Sequence, residues 1–593
     1  MEQEFAASIA EACPQSRRSV QNLIHYLALR KHDLRDLQSR LSALGLSSLG
    51  RSESSSLAGL DAVIDILEAL GGEKRFDPSV HSAYVDLQAG PAILAEQAEH
   101  LLGPVRKGRS VRIMVTMPSE AAQSYELVKN LIDAGMDVMR VNCAHDAPNE
   151  WECMIAHMRR ANEELRKHCK AEMDLAGPKL RTGPTHRGHH VMRWRVGKDA
   201  RGRIIAPARI ALVAKRASEN LPAADVLLPV PEKLVRAARI GDSLHIRDSR
   251  GKSRHLTVME KGDHSLVCRS EQGAYVVSRA EWSLLRDGKK VVTGRLGDLP
   301  FVEEPLRLHP HDVLVLTREE NSKLEVHRNL PRISCTLPEV FSTAQAGQPI
   351  FFDDGKIEGR IQEVHPDHML VEIVHADARG SKLGSAKGIN LPETDLGISA
   401  MTEKDRHDLD FVAEHADIVG LSFARRPEDV LELHQELAAR GKSSIGVILK
   451  IESREGFDQL PLTMIAALRH HPVGIMVARG DLAIEVGFER LAEVQEEILW
   501  LSEAAHMPVI WATQVLETLT KTGTPSRAEV TDAAMGVRAE CVMLNKGEHV
   551  LDAVLFLDHV LHRMQAHQSK KRSMLRRLAV AEVDQASVSI SPP

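Results

Sequence analysis

Two short stretches of the chain bring a basic and an acidic side chain within two residues of each other. Lys450 precedes Glu452, and Arg479 precedes Asp481. Side chains two apart on a strand point the same way, and two carboxylates together with substrate oxygens and water are a common way to hold Mg²⁺. The sequence therefore predicts a divalent-metal site at Glu452 and Asp481. Structural ion pairs with Lys450 and Arg479 are the alternative.

A lysine beside such a metal has a chemical use of its own. A fixed ammonium next to a divalent cation stabilises the negative charge of a phosphoryl group in transfer, and we expect Lys450 to have this role. Gly480 and Asp481 open a predicted helical turn whose free N–H groups suit an anion such as a carboxylate. This predicts a substrate site beside the metal.

Other polar side chains stand where apolar runs of the sequence end. Together with those above, the set is Arg140, Asn142, Asp174, Ser422, Lys450, Glu452, Arg479, Asp481, Thr513 and Asn545. In a barrel of parallel strands the chemistry lies at the carboxyl ends of the strands, whereas polar residues within the strands weaken packing. Seven successive strands with polar ends predict one shared site.

Eight short apolar runs would carry these residues. They are 111–117, 136–143, 171–175, 417–423, 445–451, 473–479, 508–513 and 540–545. All but the third lead directly into a helical pattern, and such alternation indicates a parallel sheet covered on both faces. Eight units predict an α/β chain with a (β/α)₈ TIM barrel. Thr402, with Asp405 three residues later, predicts a capped helix before the fourth strand.

Further segments flank or interrupt the barrel, which we place at 109–184 and 390–566. Residues 1–108 have a periodic leucine pattern that predicts an N-terminal helical extension. Residues 185–389 lack helical periodicity and predict an enlarged inserted β lid domain. Residues 567–593 turn basic and then Ser-rich, and we expect a frayed tail there.

The predicted lid contains two stretches of similar sequence. In 231–248 a Pro-Glu pair is followed by a glycine and, seven positions after it, an aspartate, and 338–354 repeats this order. A duplicated lid module would explain the length of the insertion, and chance similarity in a turn-rich stretch is the alternative.

Composition narrows the class of protein. The chain has 593 residues and a formal net charge of −6, which argues against nucleic-acid binding because such proteins carry strongly basic surfaces. Its seven cysteines form no CxxC pair and indicate reduced thiols. The acidic start is unlike a secretory signal, and no eighteen apolar residues run together. We expect a cytoplasmic homo-oligomer without a membrane partner.

A set of motifs recurs in order along the chain. They are RVNCAHD (140–146), MDLAGPKLRTG (173–183), FFDDGKI (351–357), KGINLP (387–392), TEKD (402–405), LSFARR (421–426), LKIESREG (449–456), MVARGDLAIE (476–485), ATQVLETL (512–519) and SRAEVTDAA (526–534). They resemble the motifs of the pyruvate kinase family. The resemblance covers 109–184 and 387–566, but neither the first hundred residues nor the first lid module.

This resemblance implies phosphoryl transfer from phosphoenolpyruvate to ADP, giving ATP and pyruvate, beneath a closing lid. Carried over by motif, Lys450 stabilises the phosphoryl group and the enolate. Arg140 holds the phosphate, and Thr513 lies near the water chain that protonates the enolate. Gly480 and Asp481 position the substrate together with these three residues.

The resemblance also implies a cofactor and a nucleotide site. Glu452 and Asp481 match the ligands of the divalent cation, Mg²⁺ or Mn²⁺. The matching nucleotide-side positions are Asn142, His145, Arg181 and Lys387.

One part of the family pattern is changed. The family builds a monovalent-cation site from Asn, Ser, Asp and a backbone carbonyl. Asn142 and Asp174 match this set, but Ala144 stands at the serine position. In addition, Lys179 replaces the usual Glu. Unit charges ~4 Å apart interact by about 4 kcal/mol at an effective dielectric near 20, so an ammonium disfavours a free cation nearby. Our hypothesis is that Lys179 supplies this charge and K⁺ is not required. Neutral drift is the alternative.

Two other functions stay open. A metal-dependent lyase of the phosphoenolpyruvate/pyruvate barrel type would share Glu452 and Asp481 but have no use for a nucleotide lid with Arg181 and Lys387. A non-catalytic paralogue would regulate a partner through 1–108. Because the sequence ends soon after the eighth helical pattern, the family's C-terminal effector domain is expected to be absent.

Overall fold

The computed structural model describes residues 1–72, 85–185, 188, 190–199, 201–214, 224–319, 329–570 and 572–573. The chain divides into two units, and each is described by itself. The barrel unit comprises Met1–Leu180, Leu337–Pro366 and Gly388–Pro593, and the inserted unit comprises Arg181–Thr336 and Asp367–Lys387. Most of the predicted tail, 567–593, lies outside the described residues.

Eight parallel strands close into a barrel in chain order. They are β1 (Arg112–Thr116), β2 (Val138–Asn142), β3 (Lys170–Asp174), β4 (Ile418–Leu421), β5 (Gly446–Ile451), β6 (Val473–Ala478), β7 (Val509–Ala512) and β8 (Cys541–Leu544). Nearly every strand residue is buried, as expected of a parallel sheet whose two faces are both covered. The register pairs Thr116 with Arg140 and Asn142 with Asp174. The predicted (β/α)₈ barrel is confirmed.

Helices alternate with the barrel strands and also form the N-terminal extension. In chain order the helices are α1 (Ala6–Glu11), α2 (Arg17–Arg30), α3 (Arg35–Ala43), α4 (Ser56–Gly71), α5 (Ala89–Leu102), α6 (Tyr125–Ala134), α7 (Pro148–Leu165), α8 (Glu232–Ala237), α9 (Val340–Thr343), α10 (Glu403–His415), α11 (Pro427–Ala439), α12 (Arg454–Asp458), α13 (Leu460–Ala467), α14 (Arg479–Val486), α15 (Leu491–Ala504), α16 (Glu517–Thr522), α17 (Arg527–Met535) and α18 (Val550–Met564). The described part of residues 1–108 is thus largely helical, as predicted. No helix among the described ranges has the length and apolar character needed to cross a membrane.

The predicted cap before the fourth strand is present. The N–H of Asp405 donates to the Thr402 hydroxyl at 3.1 Å, and the N–H of Thr402 donates to the Asp405 carboxylate at 2.9 Å. This reciprocal pair satisfies two backbone donors that the first turn of α10 would otherwise leave open.

The inserted unit consists mainly of β-strands, as predicted. Its largest sheet has the order Lys289–Arg295, Glu281–Arg286, Ser243–Arg247, Ser253–Lys261, Ser265–Ser270, Ala208–Ala214, Val226–Val230. The smaller ladders join Val191–Trp194 to Ala274–Val277, Gly197–Lys198 to Ile204–Ala206, Leu306–Leu308 to Ser381–Leu383, and Val313–Thr317 to both Arg332–Ser334 and His368–His375. Trp194 and Trp282 lie in the hydrophobic core of this unit.

The two stretches of similar sequence, 231–248 and 338–354, share a local structure but belong to different units. In each a short helix, α8 or α9, leads to a glycine in the left-handed region, with φ of 91° at Gly241 and 92° at Gly347. The glycine N–H donates to Val258 O at 2.9 Å in the first case and to Ile361 O at 2.7 Å in the second. The second stretch groups with the barrel unit, where Pro349–Phe352 pairs with Ile357–Val364 and Ile389–Asn390.

The extension closes the amino end of the barrel. Leu101, at the end of α5, is fully buried in a cluster that contains the first residues of several barrel strands. A Cβ added at Gly446, the first residue of β5, would lie 2.8 Å from Leu101 Cδ1. Arg112 donates to Gly103 O at 2.8 and 3.0 Å, and Lys170 donates to His100 O at 2.6 Å. Two cations therefore bind the open carbonyls at the C-terminal end of α5.

A buried polar cluster holds the extension against the loop that follows α15. His506 is 1% exposed; its Nδ1 lies 2.9 Å from Ser19 Oγ and its Nε2 lies 2.8 Å from Ser54 O. Asn22 donates to Ala504 O at 2.8 Å and to Glu53 O at 2.7 Å. Burial in this cluster lowers the pKa of His506 to about 4, so the ring is neutral at pH 7.

Candidate active site

The carboxyl ends of the barrel strands bring Arg140, Asp174 and Lys450 into contact. Arg140 Nε donates to Asp174 Oδ2 at 2.8 Å, its Nη2 contacts the same oxygen, and its Nη1 donates to Thr116 Oγ1 at 2.8 Å. Lys450 Nζ lies 3.2 Å from Asp174 Oδ2. All three charged residues are buried, so two fixed cations share one anion at this end of the barrel.

The charge states follow from these contacts. Burial by itself would raise the pKa of Asp174, but the charges of Arg140 and Lys450 outweigh it and hold this pKa below its ordinary value. Burial would likewise lower the pKa of Lys450, and the carboxylates of Asp174 and Glu452 raise it instead. The aspartate is therefore ionised and the lysine is protonated over the physiological range.

Lys450 is held by two further partners. Its ammonium lies 3.0 Å from Glu452 Oε1 and donates to Ser422 Oγ at 2.7 Å. Ser422 in turn donates to Leu175 O at 2.6 Å. The ion pair between Lys450 and Glu452, which the sequence left open as an alternative, is therefore present and does not exclude a role in catalysis.

Arg479 does not form the corresponding pair with Asp481. Its Nη2 donates to Asp532 Oδ2 at 2.8 Å and to Thr513 O at 2.7 Å, and its Nε donates to Ala512 O at 2.8 Å. The guanidinium thus fixes the loop after β7 and leaves Asp481 to other partners.

Asp481 instead contacts Lys179. Lys179 Nζ donates to both carboxylate oxygens of Asp481, at 2.9 and 2.8 Å. The residue predicted to replace the monovalent cation therefore lies against a proposed metal ligand. Asp174, in the predicted cation site, is neutralised by Arg140 and Lys450.

The residues present fit a divalent cation of the Mg²⁺ type. Burial is the main cause of the raised pKa of Glu452; the charge of Lys450 opposes it and the nearby charge of Asp481 adds to it, so the two carboxylates lie close enough to interact. Among the described residues, no group of three or more His, Cys, Asp or Glu side chains is placed to bind one metal ion. Two carboxylates completed by substrate oxygens and water match the way Mg²⁺ is usually bound.

Gly480 and Thr513 meet beside Asp481. The Gly480 N–H donates to Thr513 Oγ1 at 3.1 Å. Thr513 has a φ of 62°, a conformation that is costly for a β-branched residue. The contacts of Arg479 with Ala512 O and Thr513 O hold this loop in place, so the strained residue faces the first turn of α14.

Asn142 and His145 share the loop after β2. Asn142 Oδ1 accepts from the Ala144 N–H at 3.0 Å, and the His145 N–H donates to Asn142 O at 3.0 Å. Lys404, which the sequence analysis did not assign, donates to Cys143 O at 2.9 Å. Its place in the TEKD motif was the available signal, but only the fold shows that α10 delivers a cation to this loop.

Arg181 and Lys387 lie together in the inserted unit. The Thr182 N–H donates to Lys387 O at 2.8 Å, and the Lys387 N–H donates to Thr182 Oγ1 at 2.9 Å. Arg181 Nη1 donates to Ala386 O at 3.1 Å. These two predicted nucleotide-side residues therefore stand on paired segments where the chain first enters this unit and where it finally leaves it.

Glu172 is a buried acid that the sequence analysis missed. It is fully buried on β3, and Arg140 Nε lies 3.8 Å from its Oε2. Burial, followed by the charge of Asp174, raises its pKa well above the ordinary value. Gly420 makes room for it, because a Cβ there would lie 2.5 Å from Glu172 Oε1 and 2.1 Å from Asp174 Oδ1. The signal was an acid within an otherwise apolar strand.

Comparison with known proteins agrees with this geometry. The family model described as "Pyruvate kinase, barrel domain" matches residues 108–285 and 285–551. This match runs through the inserted segment, so the expectation that the resemblance omits the first lid module is wrong.

Individual relatives are also similar. A pyruvate kinase of Clostridium perfringens (strain 13 / Type A) is 32% identical over 254 residues, which cover 42% of this chain and 52% of the relative. Pyruvate kinase PKLR of Rattus norvegicus is 36% identical over 224 residues, 37% of each chain. A Staphylococcus aureus (strain USA300) pyruvate kinase is 32% identical over 265 residues, 44% of each chain. The chain thus spans about half or less of these relatives.

Proposed function

The chain belongs to the pyruvate kinase family, and on this premise we propose that it transfers a phosphoryl group from phosphoenolpyruvate to ADP, giving ATP and pyruvate. The observation that carries the proposal is the position of Lys450. Its ammonium is buried, protonated and fixed by Asp174, Glu452 and Ser422 at the end of the barrel where catalytic groups lie.

Fixed positive charge is what phosphoryl transfer requires of a protein. The phosphorus–oxygen bond of phosphoenolpyruvate breaks, a new one forms to the terminal oxygen of ADP, and negative charge spreads over the transferred group. Lys450 stabilises that charge and the charge of the enolate left behind. Arg140, oriented by Asp174 and Thr116, holds the phosphate.

Protonation of the enolate completes the reaction. Thr513 is the hydroxyl that we place next to the enolate carbon, with its proton supplied through water. The hydrogen bond from the Gly480 N–H fixes the direction of this hydroxyl, and the first turn of α14 offers N–H groups to the substrate carboxylate.

We assign Glu452 and Asp481 as the protein ligands of the divalent cation, Mg²⁺ or Mn²⁺. When bound, it adds positive charge to the substrate oxygens. The nucleotide side comprises Asn142 and His145, with Lys404 as an added cation on their loop. Arg181 and Lys387 of the inserted unit complete this set by motif.

A coupled assay for pyruvate from phosphoenolpyruvate separates the three candidate functions. We expect pyruvate to form only when ADP and Mg²⁺ are both present, and ATP to accumulate in equal amount. Carbon–carbon bond cleavage or formation without ADP would favour the metal-dependent lyase, and a lack of turnover with tight phosphoenolpyruvate binding would favour the regulatory paralogue. Asp481→Asn serves as the inactive comparison.

We also propose that the activity does not require K⁺. In support, Lys179 already places an ammonium at Asp481. Turnover in buffer free of Na⁺ and K⁺ should match turnover with added KCl, and Lys179→Glu should create a dependence on K⁺. Strong stimulation of the unmodified protein by K⁺ would contradict this proposal and leave the phosphoryl transfer itself untouched.

The cellular context is part of the same proposal. We expect a cytoplasmic homo-oligomer that binds neither nucleic acid nor membrane. Fractionation of cells and sedimentation of the purified chain test these two expectations directly.

A further inference from the structure

Two segments of the barrel unit, 178–180 and 388–390, directly precede and follow the inserted unit in the chain, and both are tied to α14. The segments pair with each other through the Ile389 N–H, which donates to Leu180 O at 2.9 Å. Lys179 of the first segment donates to Asp481, and Asn390 of the second donates to Glu485 Oε1 at 3.1 Å.

The two attachment points share one face of the helix. Asp481 and Glu485 are four residues apart, which places them one above the other on α14. Their partners differ in charge, because Lys179 is a cation whereas Asn390 is neutral. Only at Asp481, therefore, does the partner carry a positive charge that a divalent cation could replace.

The Lys179 contact engages both oxygens of the Asp481 carboxylate. The Lys179 ammonium donates to both Asp481 oxygens, at 2.9 and 2.8 Å. The two side chains are 25% and 17% exposed, so the pair lies at a surface where it can open without unpacking the core. Lys450, in contrast, is 10% exposed and bound to three groups.

We propose that Lys179 is an internal competitor of the divalent cation at Asp481, and that cation binding releases the 178–180 segment from α14. The proposal rests on the assignment of Asp481 as a metal ligand under the proposed function. The contact between Asn390 and Glu485 keeps the second segment attached while the first is freed.

Binding of Mn²⁺ to the full chain without substrate tests the competition. Free Mn²⁺ is measured by electron paramagnetic resonance for the unmodified protein, Lys179→Met, Asp481→Asn and Lys521→Met. Because the cation must break the ion pair of Lys179 with Asp481 in order to bind, Lys179→Met should lower the Kd at least about tenfold. Lys521, whose exposed ammonium pairs with Glu517, is the matched control and should leave the Kd unchanged.

The outcomes distinguish the two levels of the proposal. If Lys179→Met binds Mn²⁺ no more tightly than the unmodified protein while Asp481→Asn binds weakly, the competition is wrong and the metal site stands. If Asp481→Asn binds Mn²⁺ like the unmodified protein, the metal assignment itself is wrong. Circular dichroism confirms that each variant is folded.

Hydrogen–deuterium exchange tests the release. Peptides that cover 175–181 should exchange several-fold faster when Mn²⁺ is added to the unmodified protein, and Lys179→Met should show the fast rate without the cation. Asn390→Ala should speed exchange of 387–391 whether or not Mn²⁺ is present. Exchange of 175–181 that does not respond to Mn²⁺ would overturn the release.

Discussion

The two ends of the barrel are formed by the same eight strands but differ in their buried side chains, which are apolar at the amino end and charged at the carboxyl end. At the amino end Leu101 and Leu102 of the extension pack among the first residues of the strands, and two cations bind the carbonyls at the end of α5. At the carboxyl end the buried groups are charged, with Lys450 and Arg140 around Asp174.

The difference shows where stability and where function reside. Burial of apolar side chains stabilises the fold, whereas buried ion pairs are weak contributors because desolvation offsets their attraction. We therefore expect the charged groups at the carboxyl end to serve the activity and the apolar groups at the amino end to stabilise the fold. Substitutions at the two ends should separate activity from stability.

The largest expected effect is on activity at the carboxyl end. Lys450→Met should lower kcat by about 10³-fold or more, because the charge that stabilises the transferring group is removed. The circular dichroism spectrum should stay unchanged, since Arg140 still neutralises Asp174. Turnover close to that of the unmodified protein would remove Lys450 from the mechanism, and Lys521→Met is the control.

Next in size is a loss of stability at the amino end. Leu101→Ala should lower the free energy of unfolding of the barrel by about 3 kcal/mol through lost burial and a residual cavity, as measured by urea denaturation, while kcat of the folded protein stays the same. Leu44, which is 66% exposed, gives the control Leu44→Ala with little change.

A substitution at Gly446 tests the contact of Leu101 with the first residue of β5. Gly446→Ala should destabilise the barrel because the new Cβ meets Leu101 at 2.8 Å. Combined with Leu101→Ala the loss should be less than additive, since the alanine then fills part of the cavity. Strict additivity would show that the two residues are not in contact.

A smaller effect is the pH dependence of the docked extension. The pKa of His506 is about 4 in the folded protein and ordinarily about 6.5, so the unfolded chain binds a proton first as the pH falls. The contribution of His506 to stability is present above pH 6.5 and should decrease by about 2 kcal/mol between pH 7 and pH 5. Melting temperatures over this range measure it as the difference between the unmodified protein and His506→Gln, and a difference that does not change with pH would contradict the prediction.

An effect of similar size and opposite sign lies at the carboxyl end. Burial raises the pKa of Glu485 to about 7, so the folded protein keeps a proton that the unfolded chain releases above about pH 4.5. This contribution should make stability fall by about 2.5 kcal/mol as the pH rises from 4.5 to 7. Glu485→Gln should remove this fall, so that stability rises more steeply with pH in the variant, and a profile unchanged from that of the unmodified protein would contradict the assignment.

Much of the fold could be predicted because it is encoded locally. The apolar runs, the cap at Thr402 and the polar residues after each run depend on neighbours in sequence, and the barrel they predict is confirmed. The motifs likewise identified the family. The assigned roles of Lys450, Arg140, Asp481 and the nucleotide-side residues, and the predicted domain boundaries, stay predictions.

The rest depended on contacts between distant parts of the chain. Lys179 and Asp481 are 302 positions apart, and no local pattern indicates that they meet. The docking of His506 on Ser19 joins residues 487 positions apart. Residues 337–366 have a β pattern like the rest of the insertion, yet they group with the barrel unit.

The sequence by itself determined that this chain forms a parallel barrel with polar strand ends and an inserted β segment, because periodicity and strand-end chemistry are local properties. Only the tertiary structure decided which charges are paired: Lys450 with Asp174 and Glu452, Lys179 with Asp481, and Arg479 with Asp532. The physical reason is that an ion pair is set by distance and burial in space, and spacing along the chain specifies neither.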